Sequence, residues 1–108
     1  VTVFQINRDK KLQPIVILHL FRIVQEVTNN AIKYSEADEI ELEITSKSTS
    51  SWSLRIKDNG VGFDINTLKR EESYGLQHIE HRAEEIKAFA QLNSEPGKGT
   101  SVTITFNT

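Results

Sequence analysis

Apolar residues recur along the chain with two different periods, which predict helices and strands. The segment from Ile15 to about Ser35 contains no glycine or proline, and Pro14 suits the first turn of a helix, where its missing N–H costs nothing. Apolar side chains in this segment recur at steps of four, three and four, at Leu20, Val24, Val27 and Ala31. This spacing is typical of an amphipathic helix.

A second apolar stripe predicts a second helix in the later part of the chain. Its members recur at steps of three, four, three and four: Leu76, Ile79, Ala83, Ile86 and Ala90. The preceding segment, from Phe63 to Tyr74, is polar and is predicted to form a loop. Gly75 then lies at the start of the predicted helix.

Strict alternation of apolar and polar residues predicts the strands. One hairpin joins Ile40, Leu42 and Ile44 to Trp52, Leu54 and Ile56 across a serine-rich turn, and the last strand carries Val102, Ile104 and Phe106. Short strands are also predicted from Val1 to Ile6 and around Leu92. The resulting order is β-α-β-β-loop-α-β-β. It predicts an α/β (α+β) two-layer sandwich, with helices on one face of a mixed, mostly antiparallel sheet.

Length and charge narrow the class of protein. A chain of 108 residues is expected to form one domain, 1–108. With 13 Lys and Arg against 15 Asp and Glu, no nucleic-acid partner is expected. The absence of cysteine excludes disulfides, thiolate metal sites and cysteine nucleophiles. No apolar run approaches the roughly 18–20 residues of a membrane span, and the valine at position 1 suggests a fragment of a longer protein.

The first candidate for chemistry is a polar row on the first helix. Arg22, Glu26, Asn30 and Lys33 recur at helical spacing, nearly opposite the apolar row. A solvated helix face is the ordinary explanation of such a row. However, asparagine is unfavourable inside a helix, and the doublet Asn29-Asn30 indicates an amide with a function. An amide oxygen could complete the oxygen ligands of Mg²⁺, and Lys33 could meet phosphate charge.

The second candidate is the segment Asp58-Asn-Gly60-Val-Gly62, which follows a predicted strand. It could be a simple turn, because Asp, Asn and Gly are common turn residues. Alternatively, Asp58 could accept a hydrogen bond from the amino group of a ligand. Gly60 and Gly62 would then let the backbone pass against a flat ring.

Glycines mark two further candidates. Gly75 could open a helix N-terminus to an anion, or it could be a plain loop residue. Gly97-Lys98-Gly99-Thr100 is not a P-loop, because Lys98 is not followed by Ser or Thr. It is either a tight hairpin turn or a turn that brings the Thr100 hydroxyl near a ligand.

Taken in order, these motifs resemble one known family. Glu26-x-x-x-Asn30-Ala-Ile-Lys33-Tyr, Asp58-x-Gly60-x-Gly62, Gly75-Leu76 and Gly97-x-Gly99-Thr100 are similar to the N box, G1 box, G2 box and Gly-Thr element of the GHKL, or Bergerat-fold, ATP-binding domain. The resemblance extends roughly from Leu12 to Phe106. The segments LFRIVQEVTNNAIKYSEA and YGLQHIEHRAEEI are similar to compact bacterial sensor histidine kinases of the nitrate-sensor type.

The resemblance implies a role for each motif residue. Asn30 would coordinate the Mg²⁺ that bridges the triphosphate of ATP, and Asp58 would accept from the adenine amino group. Glu26 would orient the reacting groups as the catalytic residue, and residues 63–74 would form the ATP lid. The remaining expected nucleotide-binding residues are Lys33, Gly60, Gly62, Gly75, Leu76 and Thr100.

The implied reaction is transfer of the γ-phosphoryl of ATP to a histidine on a separate dimerisation domain, with a response regulator downstream. His19, His78 and His81 precede Leu, Ile and Arg, whereas an acidic residue follows the acceptor histidine in this subfamily. We therefore expect a cytoplasmic, monomeric domain that binds Mg·ATP without phosphorylating itself, from a homodimeric parent kinase that can be membrane-anchored. The alternatives are an ATP-binding regulatory module, an anti-sigma-factor serine kinase of the same fold and a degenerate domain; intact Asn30, Asp58, Gly60 and Gly62 argue against the last.

Overall fold

The computed structural model describes residues 2–3, 12–46, 48, 50–64, 66 and 70–107. The elements are, in chain order, β1 (Thr2–Val3), α1 (Pro14–Lys33), β2 (Ile40–Ser46), β3 (Ser51–Asp58), α2 (Arg70–Glu85), β4 (Phe89–Ser94) and β5 (Thr100–Asn107). This is the predicted order. The predicted first strand is confirmed at Thr2–Val3, and the rest of it lies outside the described residues.

The strands form one sheet in the order β1-β2-β3-β5-β4. β1 runs parallel to β2, and the other three pairings are antiparallel, so the predicted mixed sheet is confirmed. The predicted hairpin is also confirmed, with a register from Ser46 opposite Trp52 to Ile40 opposite Asp58. Because β3 lies between β2 and β5, Asp58 ends the central strand of the sheet.

A single core joins the helices to one face of the sheet. Opposed residues of β3 and β5 supply the sheet side of this core: Trp52, Leu54, Ile56, Val102, Ile104 and Phe106. The helices contribute Leu20, Ile23, Val27, Ile79 and Ala83 to the same cluster. Both helices therefore cover the same face, which confirms the two-layer sandwich. Arg55 and Lys57 alternate with the core residues of β3 and are exposed.

The apolar stripe of α1 is close to the prediction. Leu20, Val27 and Ala31 are buried, but Val24 is only half-buried and Ile23 is fully buried instead. The helix ends at Lys33, two residues before the predicted end. Ser35 therefore leaves the helix and is buried, with 3% of its surface exposed.

The predicted boundaries of α2 are wrong at both ends. The helix begins at Arg70, so residues 70–74 are helical and Gly75 lies inside α2 rather than before it. A glycine inside a helix costs about 1 kcal/mol relative to alanine, which is why Gly75 suggested a boundary. At the other end, Ala90 lies in β4, because Lys87 adopts a left-handed backbone with φ 55° after the helix ends.

Among the described residues, no helix has the length and apolar character needed to span a bilayer.

Candidate functional site

A cavity lies between the two helices and the sheet. It contains about 440 Å³ of space, part of it open to solvent. Its lining is mostly apolar, with an asparagine, a serine, an aspartate and a threonine among the apolar side chains. The lining residues are Val27, Asn30, Ala31, Tyr34, Ser35, Asp58, Phe63, Leu76, Ile79, Leu92, Thr100 and Val102.

The carboxylate of Asp58 is the buried charge of this cavity. Only 5% of Asp58 is exposed, and its Oδ1 accepts hydrogen bonds from Ser35 Oγ at 3.1 Å, Gly60 N at 2.8 Å and Thr100 N at 3.3 Å. Within the described part of the chain, no donor reaches Oδ2. A carboxylate oxygen accepts and never donates, so Oδ2 is suited to an N–H or O–H of a ligand.

The loop after Asp58 packs against the end of α1. Gly62 has a left-handed φ of 66°, and its N–H donates to Ser35 Oγ at 3.2 Å. A side chain at Gly60 would overlap the backbone and hydroxyl of Ser35. The hydrogen bond from the Gly60 N–H to Asp58 Oδ1 also forms the simple turn that was the other interpretation of this segment. Gly60 and Gly62 therefore contact Ser35 and Asp58 on the side away from the cavity, and neither glycine lines the cavity.

The hairpin between β4 and β5 supplies Thr100. Its hydroxyl lies 2.9 Å from Ser94 Oγ, and Ser94 Oγ also accepts from Phe63 N at 2.9 Å. The tight turn predicted at residues 97–100 is present, with left-handed φ angles at Gly97 and Gly99. The turn thus brings Thr100 into the cavity. Through Ser94, Thr100 is connected to Phe63, the first residue of the segment that leads to α2.

The polar row of α1 does not form a solvated face throughout. Asn30 lines the cavity, and Glu26, one turn earlier, lies 3.2 Å from Nδ1 of His78 on α2. A Cβ at Gly75 would lie 2.7 Å from Nδ2 of Asn30 and 3.3 Å from Oε1 of Glu26. Glu26 and Asn30 are half-buried rather than solvated, because α2 covers this side of α1. The missing side chain at Gly75 permits this close contact.

The other predicted site residues are distributed unevenly. Leu76 lines the cavity beside Asn30, whereas Lys33 is exposed in the last turn of α1 and outside the lining. The structure thus brings together Asn30, Asp58, Leu76 and Thr100 around one cavity. Glu26 and Gly75 lie next to Asn30.

The sequence pattern did not identify Ser35 as part of the site. Its bonds to Asp58 and Gly62 join residues 23 and 27 positions apart, and no local spacing predicts such contacts. Four lining residues were predicted only as members of apolar stripes, because periodicity marks a buried position without distinguishing a packed one from a cavity wall. These residues are Val27, Ala31, Ile79 and Val102.

No cluster of three or more His, Cys, Asp or Glu residues suited to a metal occurs in the described ranges. Nε2 of His81 lies 3.6 Å from Glu85 of the same helix, and Nδ1 of His78 faces Glu26. A cation at this site would therefore need oxygen atoms from a bound small molecule or from water, in addition to any amide oxygen of the protein.

Replacing Gly75 with valine is expected to destabilise the fold by about 1–3 kcal/mol, because the added side chain meets Asn30 and overpacks the helix contact. Urea denaturation measures this free energy of unfolding. The control is Gln77→Val, at an exposed position of the same helix. Equal losses from the two substitutions would show that the contact between the helices does not require glycine.

Several sensor kinases are similar to this chain in sequence. The sensor histidine kinase LiaS of Bacillus subtilis is 40% identical over 86 residues, which is 80% of this chain and 23% of LiaS. The sensor protein VraS of Staphylococcus aureus is also 40% identical over 86 residues, covering 80% of this chain and 24% of VraS. An uncharacterised sensor-like histidine kinase of Chloroflexus aurantiacus is 37% identical over 89 residues, covering 79% of this chain and 15% of the relative. The chain thus spans about a quarter or less of these relatives.

Solved structures share the fold. The histidine kinase domain of the blue-light activated histidine kinase from Erythrobacter litoralis superimposes with a TM-score of 0.76 over 97% of this chain and 49% of that one, at 18% identity. The family model described as histidine kinase-, DNA gyrase B- and HSP90-like ATPase matches residues 15–108. The chain belongs to this ATPase family.

Proposed function

We propose that residues 1–108 form the ATP-binding catalytic domain of a sensor histidine kinase. The domain binds Mg·ATP and supplies the γ-phosphoryl to a histidine on a separate domain of the same parent protein. The single observation that carries the proposal is the buried Asp58 carboxylate, which lines a largely apolar cavity and keeps Oδ2 available. An adenine ring has two apolar faces and an amino group at its edge, which match the walls and the acceptor.

Base recognition is assigned to Asp58 and its neighbours. Oδ2 of Asp58 accepts a hydrogen bond from the adenine amino group, and Thr100 lies close enough to Asp58 to contact the same edge of the base. Leu76 and the other apolar lining residues cover the faces of the ring. Gly60 and Gly62 act through Ser35 and Asp58, because Gly60 packs against Ser35 and the Gly62 N–H donates to Ser35 Oγ.

The triphosphate and its cation are assigned to the Asn30 side of the cavity. An amide oxygen is a hard ligand of the kind that Mg²⁺ prefers, and the cation would take its other oxygens from phosphate and water. Bound Mg²⁺ neutralises charge that develops on the phosphates. Lys33 carries a long flexible side chain in the last turn of α1, three residues beyond Asn30, and would add a positive charge toward the phosphates.

The remaining assignments concern transfer. Glu26 lies next to Asn30 and Gly75 and would orient the reacting groups. The predicted ATP lid spans residues 63–74, of which 70–74 belong to α2, whereas 65 and 67–69 lie outside the described residues. The histidine acceptor, the downstream response regulator and a homodimeric parent belong to the same proposal, with this domain monomeric by itself. The names of the relatives favour a histidine kinase over an anti-sigma-factor serine kinase or a regulatory module.

Titration calorimetry with ATP, in the presence and absence of Mg²⁺, tests the proposal. The unsubstituted chain is expected to bind ATP, and Mg²⁺ is expected to strengthen this binding. Asn30→Ala should reduce the strengthening by about tenfold, because the side-chain amide that lines the cavity is lost, while metal-free binding changes little.

Asn29→Ala is the matched control, because Asn29 is the adjacent asparagine and is exposed. It should retain the full effect of Mg²⁺. If both alanine variants respond to Mg²⁺ like the unsubstituted chain, Asn30 is not a metal ligand. If the unsubstituted chain binds no ATP, the proposed function is wrong.

A further inference from the structure

Ser35 connects three parts of the candidate site. Its hydroxyl donates to Asp58 Oδ1 at 3.1 Å and accepts from Gly62 N at 3.2 Å, and its carbonyl accepts from Val61 N at 2.7 Å. Ser35 is 3% exposed and lies two residues beyond the end of α1. The residue therefore joins the end of the helix, the end of the central strand and the glycine loop.

The three donors to Asp58 are not equivalent. Two of them are the backbone N–H groups of Gly60 and Thr100, which a side-chain substitution does not remove. Among the described residues, Ser35 supplies the only side-chain donor to this carboxylate. All three donors point at Oδ1, so together they set the rotation of the carboxylate and leave Oδ2 to the cavity.

We propose that Ser35 is a positioning residue that determines base specificity: its hydroxyl orients Asp58 so that Oδ2 selects a purine carrying a 6-amino group. This inference rests on the proposed function, and it assigns the selectivity of the base site to a residue outside the motif positions. Loss of the hydroxyl leaves Oδ1 of Asp58 held by two backbone N–H groups alone, so the carboxylate is less firmly oriented, and it leaves the Gly62 N–H without its acceptor. The interaction that weakens is the hydrogen bond between Oδ2 and the amino group of the ligand, since apolar contacts with the ring do not depend on the carboxylate.

The test compares two nucleotides that differ only at position 6 of the base. Calorimetry measures the affinities of ATP and of purine riboside 5′-triphosphate, which lacks the amino group, both with Mg²⁺. The unsubstituted chain should prefer ATP by about tenfold or more, because a site built to bond an amino group rejects an analogue without it. Ser35→Ala should bind ATP about tenfold more weakly and change its affinity for the analogue by less than about twofold.

Two further variants separate positioning from stability. Ser53→Ala removes another buried hydroxyl, five residues before Asp58 and on the opposite face of β3, and should retain the full preference for ATP. Ser35→Cys replaces the hydroxyl with a somewhat larger thiol, which is a weak donor, and should show an intermediate preference. Circular dichroism establishes whether each variant is folded. If Ser35→Ala does not fold, the cysteine variant decides the question.

The outcomes distinguish the two proposals. If the unsubstituted chain prefers ATP and the Ser35 variants keep that preference, the role of Ser35 is wrong and the proposed function stands. If the Ser35 variants lose affinity equally for both nucleotides, Ser35 is structural and the inference is overturned. If the unsubstituted chain binds neither nucleotide, the proposed function fails and the inference fails with it.

Discussion

Replacing Asp58 with asparagine is expected to weaken ATP binding by about 100-fold or more while the fold is retained. The amide oxygen of asparagine can still accept the bonds from Ser35, Gly60 and Thr100. The amide nitrogen would then face the cavity and meet the adenine amino group, donor against donor. Sites that leave a buried polar group opposed or unpartnered discriminate strongly, so the loss should be large. Titration calorimetry measures it.

Asp38→Asn is the control for the lost charge. Asp38 is exposed, and its Oδ1 accepts from Asn59 Nδ2 at 2.6 Å, a bond that an asparagine oxygen can keep. The control changes the net charge by the same amount and should bind ATP normally. Thermal unfolding should be similar for both variants. If Asp58→Asn binds ATP as tightly as Asp38→Asn does, Asp58 does not recognise the base.

The largest loss of stability is expected from Trp52→Ala. Trp52 has no exposed surface, and its ring stacks on Phe106 with centroids 6.3 Å apart and planes inclined by 8°. Truncating a buried aromatic residue in a core costs about 3–5 kcal/mol, out of the roughly 5–15 kcal/mol that stabilises a typical domain. Urea denaturation followed by far-ultraviolet circular dichroism measures this loss. Fluorescence is unsuitable, because Trp52 is the only tryptophan.

Phe89→Ala is the matched control for Trp52→Ala. Phe89 is also an aromatic residue of the sheet, but 68% of it is exposed. Its truncation should change the free energy of unfolding by no more than about 0.5 kcal/mol. A similar loss in the two variants would contradict the assignment of Trp52 to the centre of the core.

The sequence predicted the elements well where burial is one-sided. Alternation along β2, β3 and β5 matches the observed strands, because each strand turns one face to the helices and one to solvent. The stripe of α1 was predicted for the same reason. The prediction failed at Gly75, since a local propensity against glycine in a helix was outweighed by a contact with Asn30 on another helix.

The sequence also predicted which residue types act in the site, but it did not predict their distances from the cavity. Asp58, Asn30 and Thr100 were selected by residue type and position, and the structure brings all three to one cavity. Lys33 was selected in the same way and lies outside the lining. Residue type indicates what a side chain can bind, whereas its distance from the cavity depends on where the helix ends.

The sequence by itself determined the order of helices and strands, the faces they bury and the family of the domain. These properties follow from periodicity and motif order, which are local or linear along the chain. Only the tertiary structure decided that Glu26 and Asn30 face a second helix, and that three donors converge on a single oxygen of Asp58. Such contacts join residues far apart in sequence, so they exist only once the sheet and both helices have packed.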